Sequence, residues 1–414
     1  MNSKGLLIIG FLMLMIDMDS SAQHNMIFNN RIKSLQVVAG GRWLDMPIIT
    51  LNSGEIINIS FDDMTHEYHR YMYKIEHCEA DWTPSENLFE SDYINGFASD
   101  NPIEDSQESL NTNELYTHYK LKLPNERCQI KLSGNYKVTI YDENNDNEKM
   151  LEAFFMVNEN MVALSMASTT NTDYDINESH QQLSIQLNYG NLKVTDWQKE
   201  IKTVIMQNGR WDNAVISPTP QYIMPDGLKW EHNKSLIFNG GNEYRKFEML
   251  DVYHPTMGIE RVNWDGKQYH AYLFPDEPRP SYIYDEDANG AFVIRNSNNT
   301  EIDYTSQYMT VHFQLKAPKQ NGDVYLNANW TYDLFIPEYK MEWNVQNECY
   351  EYEVQLKQGY YNYQYLVMKK DGTTAPVSTE GNFFQTENSY QTLVYYKGVG
   401  ERTDRLVGIA TLGK

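Results

Sequence analysis

Cysteine is scarce in this sequence. Of 414 residues, three are cysteines, namely Cys78, Cys128 and Cys349. Three cysteines cannot build a disulfide framework, so the sequence predicts domains that are held together by apolar cores. Cys78 and Cys128 can form a disulfide if their strands are neighbours, and the sequence leaves that pairing open.

Basic charge is also in short supply. The chain has 34 Lys and Arg residues against 57 Asp and Glu residues, which gives a net charge of −23. Phosphate backbones and anionic lipid headgroups are bound by clustered Lys and Arg side chains. The sequence therefore argues against nucleic acid or an anionic membrane surface as the partner.

Long apolar runs are missing after the first 22 residues. Lys4 precedes the apolar run 5–16, and Ser20, Ser21 and Ala22 place small residues where a signal peptidase cleaves. This run is shorter than the roughly 20 residues that a membrane-spanning helix needs, and no later stretch approaches that length. We expect residues 1–22 to be a signal peptide and the exported chain to begin at Gln23, without a lipid anchor and without direct membrane insertion.

Motifs for catalysis are absent as well. The sequence contains no Gly-x-Ser-x-Gly elbow, no glycine-rich phosphate loop and no Gly-Lys-Ser/Thr sequence. His66, His69 and His77 lie near Cys78, but positions 66 and 69 face opposite sides of a strand, which is a poor spacing for zinc. The sequence therefore predicts no enzyme, with no catalytic residue, no metal ligand and no cofactor.

Residues 285–290, with the sequence DEDANG, match the first half of a calcium loop. Its ligands would be Asp285, Asp287 and Asn289, but Asn296 stands where such a loop needs a bidentate carboxylate, and the flanking residues are typical of strands. The alternative is a tight turn in which Asn289 and Gly290 supply positive φ. The sequence leaves calcium binding open.

Tyrosine is abundant in this sequence, with 31 residues, and apolar and polar residues alternate around many of them with a period of two. In residues 350–368 the apolar and polar side chains alternate on both sides of a loop at 357–359, with Gly359 at the position expected to need positive φ. This pattern predicts a β-hairpin that needs a second sheet to cover its apolar face.

No apolar repeat at i, i+3, i+4 and i+7 extends through three turns after residue 22, so helix should be minor. We predict an all-β protein of tandem β-sandwiches, with Trp82 as a core anchor. The expected units are an immunoglobulin-like sandwich at 23–158, a central β-rich domain at 159–318 and an early-set-like sandwich at 319–414.

The third unit is similar to early-set, glycogen-binding-like modules in residues 324–330, 340–341 and 356–363. This similarity implies an exported glycan-binding protein as an alternative function. Trp330, Tyr332 and Trp343 could then stack on a sugar ring, although such aromatic residues also fill sandwich cores.

Six motifs carry a broader resemblance. They are HCEADW at 77–82, SGNY at 133–136, QNGRWDN at 207–213, GGNEYR at 240–245, DANG at 287–290 and RTDRLVG at 402–408. In this order they resemble the family of the type IX secretion system plug protein. A cargo protein of that system would end in a dedicated signal domain, whereas residues 400–414 match the ending of the plug family.

The resemblance implies a periplasmic protein that is attached peripherally to the outer-membrane translocon β-barrel. Its role would be to bind the barrel and close its periplasmic opening when no cargo is passing. The resemblance implies no catalytic or ligand-binding residue. The contact surface, the stoichiometry and the trigger for release are left open.

Overall fold

The computed structural model describes residues 24–413, so the predicted signal peptide at 1–22 and Gln23 lie outside the described residues. The predicted all-β fold is confirmed, because alternating side chains form strands almost throughout. The first part of the chain forms β1 Met26–Ile27, β2 Ile32–Ala39, β3 Ile48–Thr50, β4 Ile57–Asp63, β5 Tyr71–Cys78, β6 Ile94–Gly96, β7 Asn101–Pro102, β8 Asp105–Glu108, β9 Thr117–Leu123, β10 Cys128–Ile130, β11 Gly134–Asp142 and β12 Glu148–Asn158.

The remaining strands continue in chain order. The middle part forms β13 Ala163–Thr169, β14 His180–Asn188, β15 Ile201–Gln207, β16 Val215–Ile216, β17 Tyr222–Met224, β18 Gly227–Trp230 and β19 Ile237–Asn239. The last part forms β20 Arg245–Met249, β21 Ile259–Trp264, β22 Tyr269–Leu273, β23 Phe292–Ile294, β24 Tyr308–Leu315, β25 Asp323–Asn327, β26 Glu342–Asn344, β27 Cys349–Lys357, β28 Gly359–Met368, β29 Thr374–Pro376, β30 Tyr390–Tyr396 and β31 Arg405–Leu412.

Helices are short. The α-helices are α1 Glu90–Tyr93, α2 Trp197–Glu200 and α3 Ile302–Thr305, and the 3₁₀ turns are Lys234–Leu236, Asn329–Thr331 and Pro337–Tyr339. Within residues 24–413 there is no helix that is long and apolar enough to cross a membrane.

The first sandwich packs the sheet β1-β12-β11-β5-β7, with β3 parallel to β12, against the sheet β2-β4-β9-β8. Its core lies between the two sheets, and β4 and β9 each contribute every second side chain to it, as the period of a strand requires. Phe61 of β4 stacks on Tyr119 of β9 at 5.4 Å and meets Tyr71 of β5 edge-on at 5.4 Å.

The second sandwich packs the sheet β13-β14-β18-β17, with β19 beside β14, against the sheet β16-β15-β30-β31. The last two strands of the chain therefore complete a sheet that begins almost 200 residues earlier, with Ile201 opposite Tyr396 and Gln207 opposite Tyr390. This grouping differs from the predicted unit 319–414, which includes β30 and β31. Strand alternation identifies a strand but does not reveal which distant strand it joins.

The third sandwich packs a sheet of β20, β23, β25, β28 and β29 against the sheet β21-β22-β24-β27-β26. Its core joins Phe247 of one sheet to Phe313 of the other at 5.6 Å. Strands β20 to β24 belong here, although the predicted range 159–318 placed them in the central unit. The chain thus enters the third sandwich near residue 245 and returns to the second after residue 380.

The prediction of a β-hairpin at residues 350–368 is wrong. Its two halves form β27 and β28 as expected, but β27 pairs with β24 and β26, while β28 pairs with strands of the opposite sheet. The chain crosses between the two sheets at Gln358. Gly359 does not have positive φ; a Cβ there would lie 2.5 Å from the carbonyl oxygen of Val293, so close backbone approach explains this glycine.

Candidate functional site at the sandwich junctions

The first and second sandwiches share an apolar junction. Side chains on the outer faces of β5 and β12 pack against side chains of β15, β30 and β31 and form a separate buried cluster. Its buried members are Cys78, Ala80, Trp82, Phe154, Met156, Val204, Met206, Leu393, Tyr395 and Leu406. Trp82 is buried as predicted, but it anchors this junction, where it meets Phe154 at 5.4 Å and Trp211 at 5.7 Å.

A polar clasp borders the apolar junction and joins the motif at 77–82 to the motif at 402–408. The Glu79 carboxylate accepts the backbone N–H of Asp404 at 2.9 Å and the hydroxyl of Thr403 at 2.8 Å. In return, Asp404 Oδ2 accepts the N–H of Ala80 at 3.0 Å and the ammonium of Lys202 at 2.7 Å. Burial alone would raise the pKa of Glu79, but these hydrogen bonds hold it below its ordinary value.

The motif at 133–136 supports the same clasp. His77 Nε2 donates to the carbonyl of Ser133 at 2.9 Å, and His77 Nδ1 lies 2.8 Å from the Ser85 hydroxyl. The backbone of Gly134, at φ 136°, lies against this ring, and a Cβ at position 134 would be 2.4 Å from His77 Nε2. Burial lowers the pKa of His77, so the ring is a neutral structural residue.

The other predicted zinc candidates do not converge with His77. His69 lies 3.2 Å from Asp142 Oδ2, and the His66 ring faces the carbonyl of Ser109 at 3.4 Å. Over residues 24–413 no three His, Cys, Asp or Glu side chains are arranged to hold a metal ion. All three cysteines are buried and free, so Cys78 and Cys128 form no disulfide.

The motifs at 207–213 and 240–245 lie between the second and third sandwiches. Arg210 forms a two-pronged ion pair with Asp212 at 3.0 and 2.6 Å, and Asp212 accepts the hydroxyl of Thr374 from β29 at 2.8 Å. Arg245 pairs with Asp276 and with Glu380, each at 2.7 Å. These pairs fix the two chain segments that pass between the sandwiches.

The DANG motif forms a turn of this junction. Asp287 accepts the backbone N–H groups of Tyr244 and of Asn289, the latter at 3.0 Å, and Asn289 and Gly290 have φ of 48° and 91°. Asp285 points away and pairs with Lys246 at 2.5 Å. The candidate calcium ligands therefore do not share one centre. The residues before the motif, 281–284, form no strand, although the sequence on both flanks is typical of strands.

The first and third sandwiches meet at a buried ion pair. Asp62 of β4 lies 2.6 Å from the ammonium of Lys357, at the end of β27, and both side chains are fully buried. Tyr308 donates to Asp62 at 2.6 Å, and His118 Nδ1 lies 2.7 Å from its other oxygen. Burial alone would raise the pKa of Asp62, but Lys357 and His118 outweigh that effect and hold it below its ordinary value.

Sequence reasoning missed this ion pair. Asp62 lies near the end of β4 and Lys357 lies in a predicted loop, so the sequence suggests a solvent-exposed charge at each position. The two residues are 295 positions apart. No local pattern marks either residue. The missing signal is the pairing of sandwiches, which a single sequence does not contain.

An open cavity of about 710 Å³ lies where the sandwiches meet, and residues from all three line it. Trp43, Trp211 and Tyr332 contribute aromatic walls, and Asp333 contributes a carboxyl group. Burial, and then the charge of Asp212, raise the pKa of Asp333 to about 7. A carboxyl that titrates near neutral pH makes the junction sensitive to pH.

The aromatic residues of the third sandwich do not form a sugar-stacking platform. Trp330 is 5% exposed, lies in the core and donates its indole N–H to the carbonyl of Asn362 at 2.9 Å. Tyr332 is buried against the first sandwich, and Trp343 packs on Tyr350 at 4.9 Å. The interpretation that these rings fill cores is the one that the contacts support.

Comparisons with known proteins give one family match and one similar solved structure. The family described as type 9 secretion system plug protein, 1st domain, matches residues 32–159, which make up the first sandwich. A crystal structure of a hypothetical protein from Parabacteroides merdae ATCC 43184 is similar over 94% of this chain and 99% of that one, at 38% identity and a TM-score of 0.91. None of the curated proteins matches. The first sandwich of this chain, residues 32–159, therefore belongs to the family of the type IX secretion system plug protein.

Proposed function

We propose that this protein is the periplasmic plug subunit that binds the outer-membrane translocon barrel of the type IX secretion system and closes its periplasmic opening when no cargo is passing. The observation that carries the proposal is the family match of the first sandwich at residues 32–159. In this proposal residues 1–22 direct export, and the protein attaches to the barrel from the periplasmic side. Its role is structural and not enzymatic.

The junctions supply the mechanical property that this role needs. A body that seals a pore must keep its shape, and three sandwiches joined in pairs resist the bending that a single linker would permit. The apolar cluster holds the first sandwich to the second, and the Asp62–Lys357 pair together with Tyr332 and Leu334 holds it to the third. Surface charge fits the same role, because a net charge of −23 keeps copies apart and favours a partner with complementary charge.

Capture of the barrel from envelope fractions tests the proposal. A tagged copy of the mature chain, expressed in its native host and purified in mild detergent, should recover the translocon barrel at a fixed ratio. Recovery of the barrel should fall in cells that are secreting much cargo, because a barrel that is passing cargo has released its plug. Failure to recover the barrel from cells that contain both proteins would contradict the proposal.

Exposed apolar side chains give a sharper version of the same experiment. Phe89 and Phe97 of the first sandwich are 75% and 69% exposed, and Ile216 and Ile223 of the second are 62% and 63% exposed. Because the first sandwich carries the family match, we expect Phe89→Ser with Phe97→Ser to weaken capture, and Ile216→Ser with Ile223→Ser to serve as the matched control. Equal capture by wild type and both variants would exclude the Phe89 and Phe97 side chains from the contact.

A further inference from the structure

The open cavity between the three sandwiches is bordered by the edges of two sheets. β2 is the last strand of its sheet, and within residues 24–413 it pairs with no strand other than β4. β31 is the last strand of the sheet β16-β15-β30-β31. Residues 35–38 of β2 and residues 409–411 of β31 line the cavity. Consecutive residues line one space where a strand presents its edge, because each face of a strand takes alternate residues.

The edge of β2 has backbone groups that point away from β4. The N–H of Gly40 donates to the carbonyl of Ile56 at 2.7 Å. Val38 lies opposite Asn58 in the same register. Since the backbone groups of an antiparallel strand alternate in direction, those of Val38 face β4 and those of Val37 face away from it. The free edge of β2 can therefore accept one more strand, which is how sheets bind extended peptides.

Apolar side chains line the cavity beside this edge. Trp43 and Leu44 lie in the loop that follows β2, Trp211 lies between β15 and β16, and Phe292 begins β23. Leu44 is 60% exposed, so part of this apolar wall is open to solvent. A peptide that added to β2 would direct every second side chain to one face, where these side chains could pack against it.

The charges of the cavity wall favour a basic partner. Asp333 and Glu286 are among the acidic residues that line it, whereas its basic residues are Arg42 and His24. Arg42 already pairs with Glu55 at 2.8 Å. Burial lowers the pKa of His24, which keeps this ring neutral. The wall therefore has an excess of negative charge that a Lys or Arg side chain would balance.

The Asp333 carboxyl is the group that would gain most from such a cation. It accepts a hydrogen bond from Asn327, a neutral amide, at 2.9 Å. Its neighbour Asp212 is already held by Arg210 through two hydrogen bonds. Burial and the charge of Asp212 raise the pKa of Asp333 to about 7, and a nearby ammonium or guanidinium group would favour the charged form again.

We propose that this cavity is the docking site for an extended segment of the translocon barrel protein, which adds to the edge of β2, packs alternate apolar side chains against the cavity wall and brings a Lys or Arg side chain to Asp333. The inference rests on the proposed function, because it takes the barrel as the partner. The cavity volume of about 710 Å³ falls within the range of about 300–1,000 Å³ that is typical of binding pockets.

Site-specific photocrosslinking tests whether the barrel enters the cavity. p-Benzoylphenylalanine in place of Leu44 should crosslink to the barrel in cells that contain both proteins. The same substitution at Ile223, which is similarly exposed and lies outside the cavity wall, is the matched control and should give little barrel product. Mass spectrometry should locate the Leu44 crosslink in a barrel segment with alternating apolar residues and a Lys or Arg. A crosslink to a second copy of this chain, or within the chain itself, would overturn the proposal.

Charge reversal gives an independent readout. Glu286 is exposed at the cavity wall, so Glu286→Lys should lower capture of the barrel about fivefold or more by repelling the basic segment. Glu353→Lys is the matched control, because Glu353 is 72% exposed and lies outside the wall, and its capture should stay within about twofold of wild type. Thermal unfolding checks that both variants are folded.

The outcomes separate this inference from the proposed function. Wild type that captures no barrel would contradict the proposed function itself. Wild type that captures the barrel without a crosslink at Leu44, or with equal capture by Glu286→Lys and Glu353→Lys, would overturn the docking site alone.

Discussion

The first sandwich is held by two junctions of different character. Toward the second sandwich it buries a separate apolar cluster, and toward the third it buries the ion pair Asp62–Lys357 beside the apolar side chains of Tyr332 and Leu334. Apolar burial stabilises in proportion to area and tolerates small changes of angle. A buried ion pair adds little net stability, but it is costly to break and strict about geometry. We infer that the apolar junction provides most of the attachment and that the ion pair fixes the angle.

The largest effect is expected when the ion pair Asp62–Lys357 between the first and third sandwiches is removed. Lys357→Met leaves the Asp62 carboxylate buried without its cation, and the free energy of unfolding should fall by about 3–5 kcal/mol in urea. Lys120→Met is the control, because Lys120 pairs with Asp303 at 3.7 Å in a partly exposed position, where the loss should be under about 1 kcal/mol. Equal losses in the two variants would show that the buried pair is not the fixing contact.

The next effect tests the apolar side. Leu406 of β31 is fully buried in the apolar junction, so Leu406→Ala should lower the free energy of unfolding by about 3 kcal/mol through lost burial and the cavity that remains. Ile409→Ala on the same strand, where the side chain is 37% exposed, should cost clearly less. An effect of Leu406→Ala no larger than that of Ile409→Ala would contradict a packed junction.

These two junctions also show how far the sequence alone reaches. The period of two predicts β27 and β28 and the inward tyrosines, because side-chain direction is a local property of a strand. The same pattern led to a hairpin that does not exist, because the partner of a strand is not local. The motifs at 77–82 and 402–408 are visible in the sequence, but the contact of Glu79 with Asp404 spans 325 residues. Asp62 and Lys357 belong to no recognisable pattern.

The smallest effect concerns Asp333, which lines the cavity between the three sandwiches. The pKa of Asp333 is about 7, against an ordinary value near 3.8, so the folded chain holds this proton where the unfolded chain has lost it. Stability from this group is full below about pH 4 and is lost as the pH rises toward 7. This rise in pKa corresponds to at most about 4 kcal/mol of stability. We expect about 2 kcal/mol, because Asp333 is only partly buried and lines an open cavity.

Asp333→Asn isolates that contribution. The amide oxygen can still accept the hydrogen bond that Asn327 donates to Asp333 at 2.9 Å, but the side chain no longer titrates. Relative to this variant, wild type should lose stability in urea between about pH 4 and pH 7. A constant difference across that range would show that Asp333 titrates normally.

Calorimetric unfolding of the mature chain tests most directly whether the three sandwiches act as one body. Wild type should unfold in a single transition whose calorimetric and van't Hoff enthalpies agree, and Lys357→Met should separate one transition from the rest. Three independent transitions in the wild type, or a thermogram that Lys357→Met leaves unchanged in form, would contradict a body locked at its junctions.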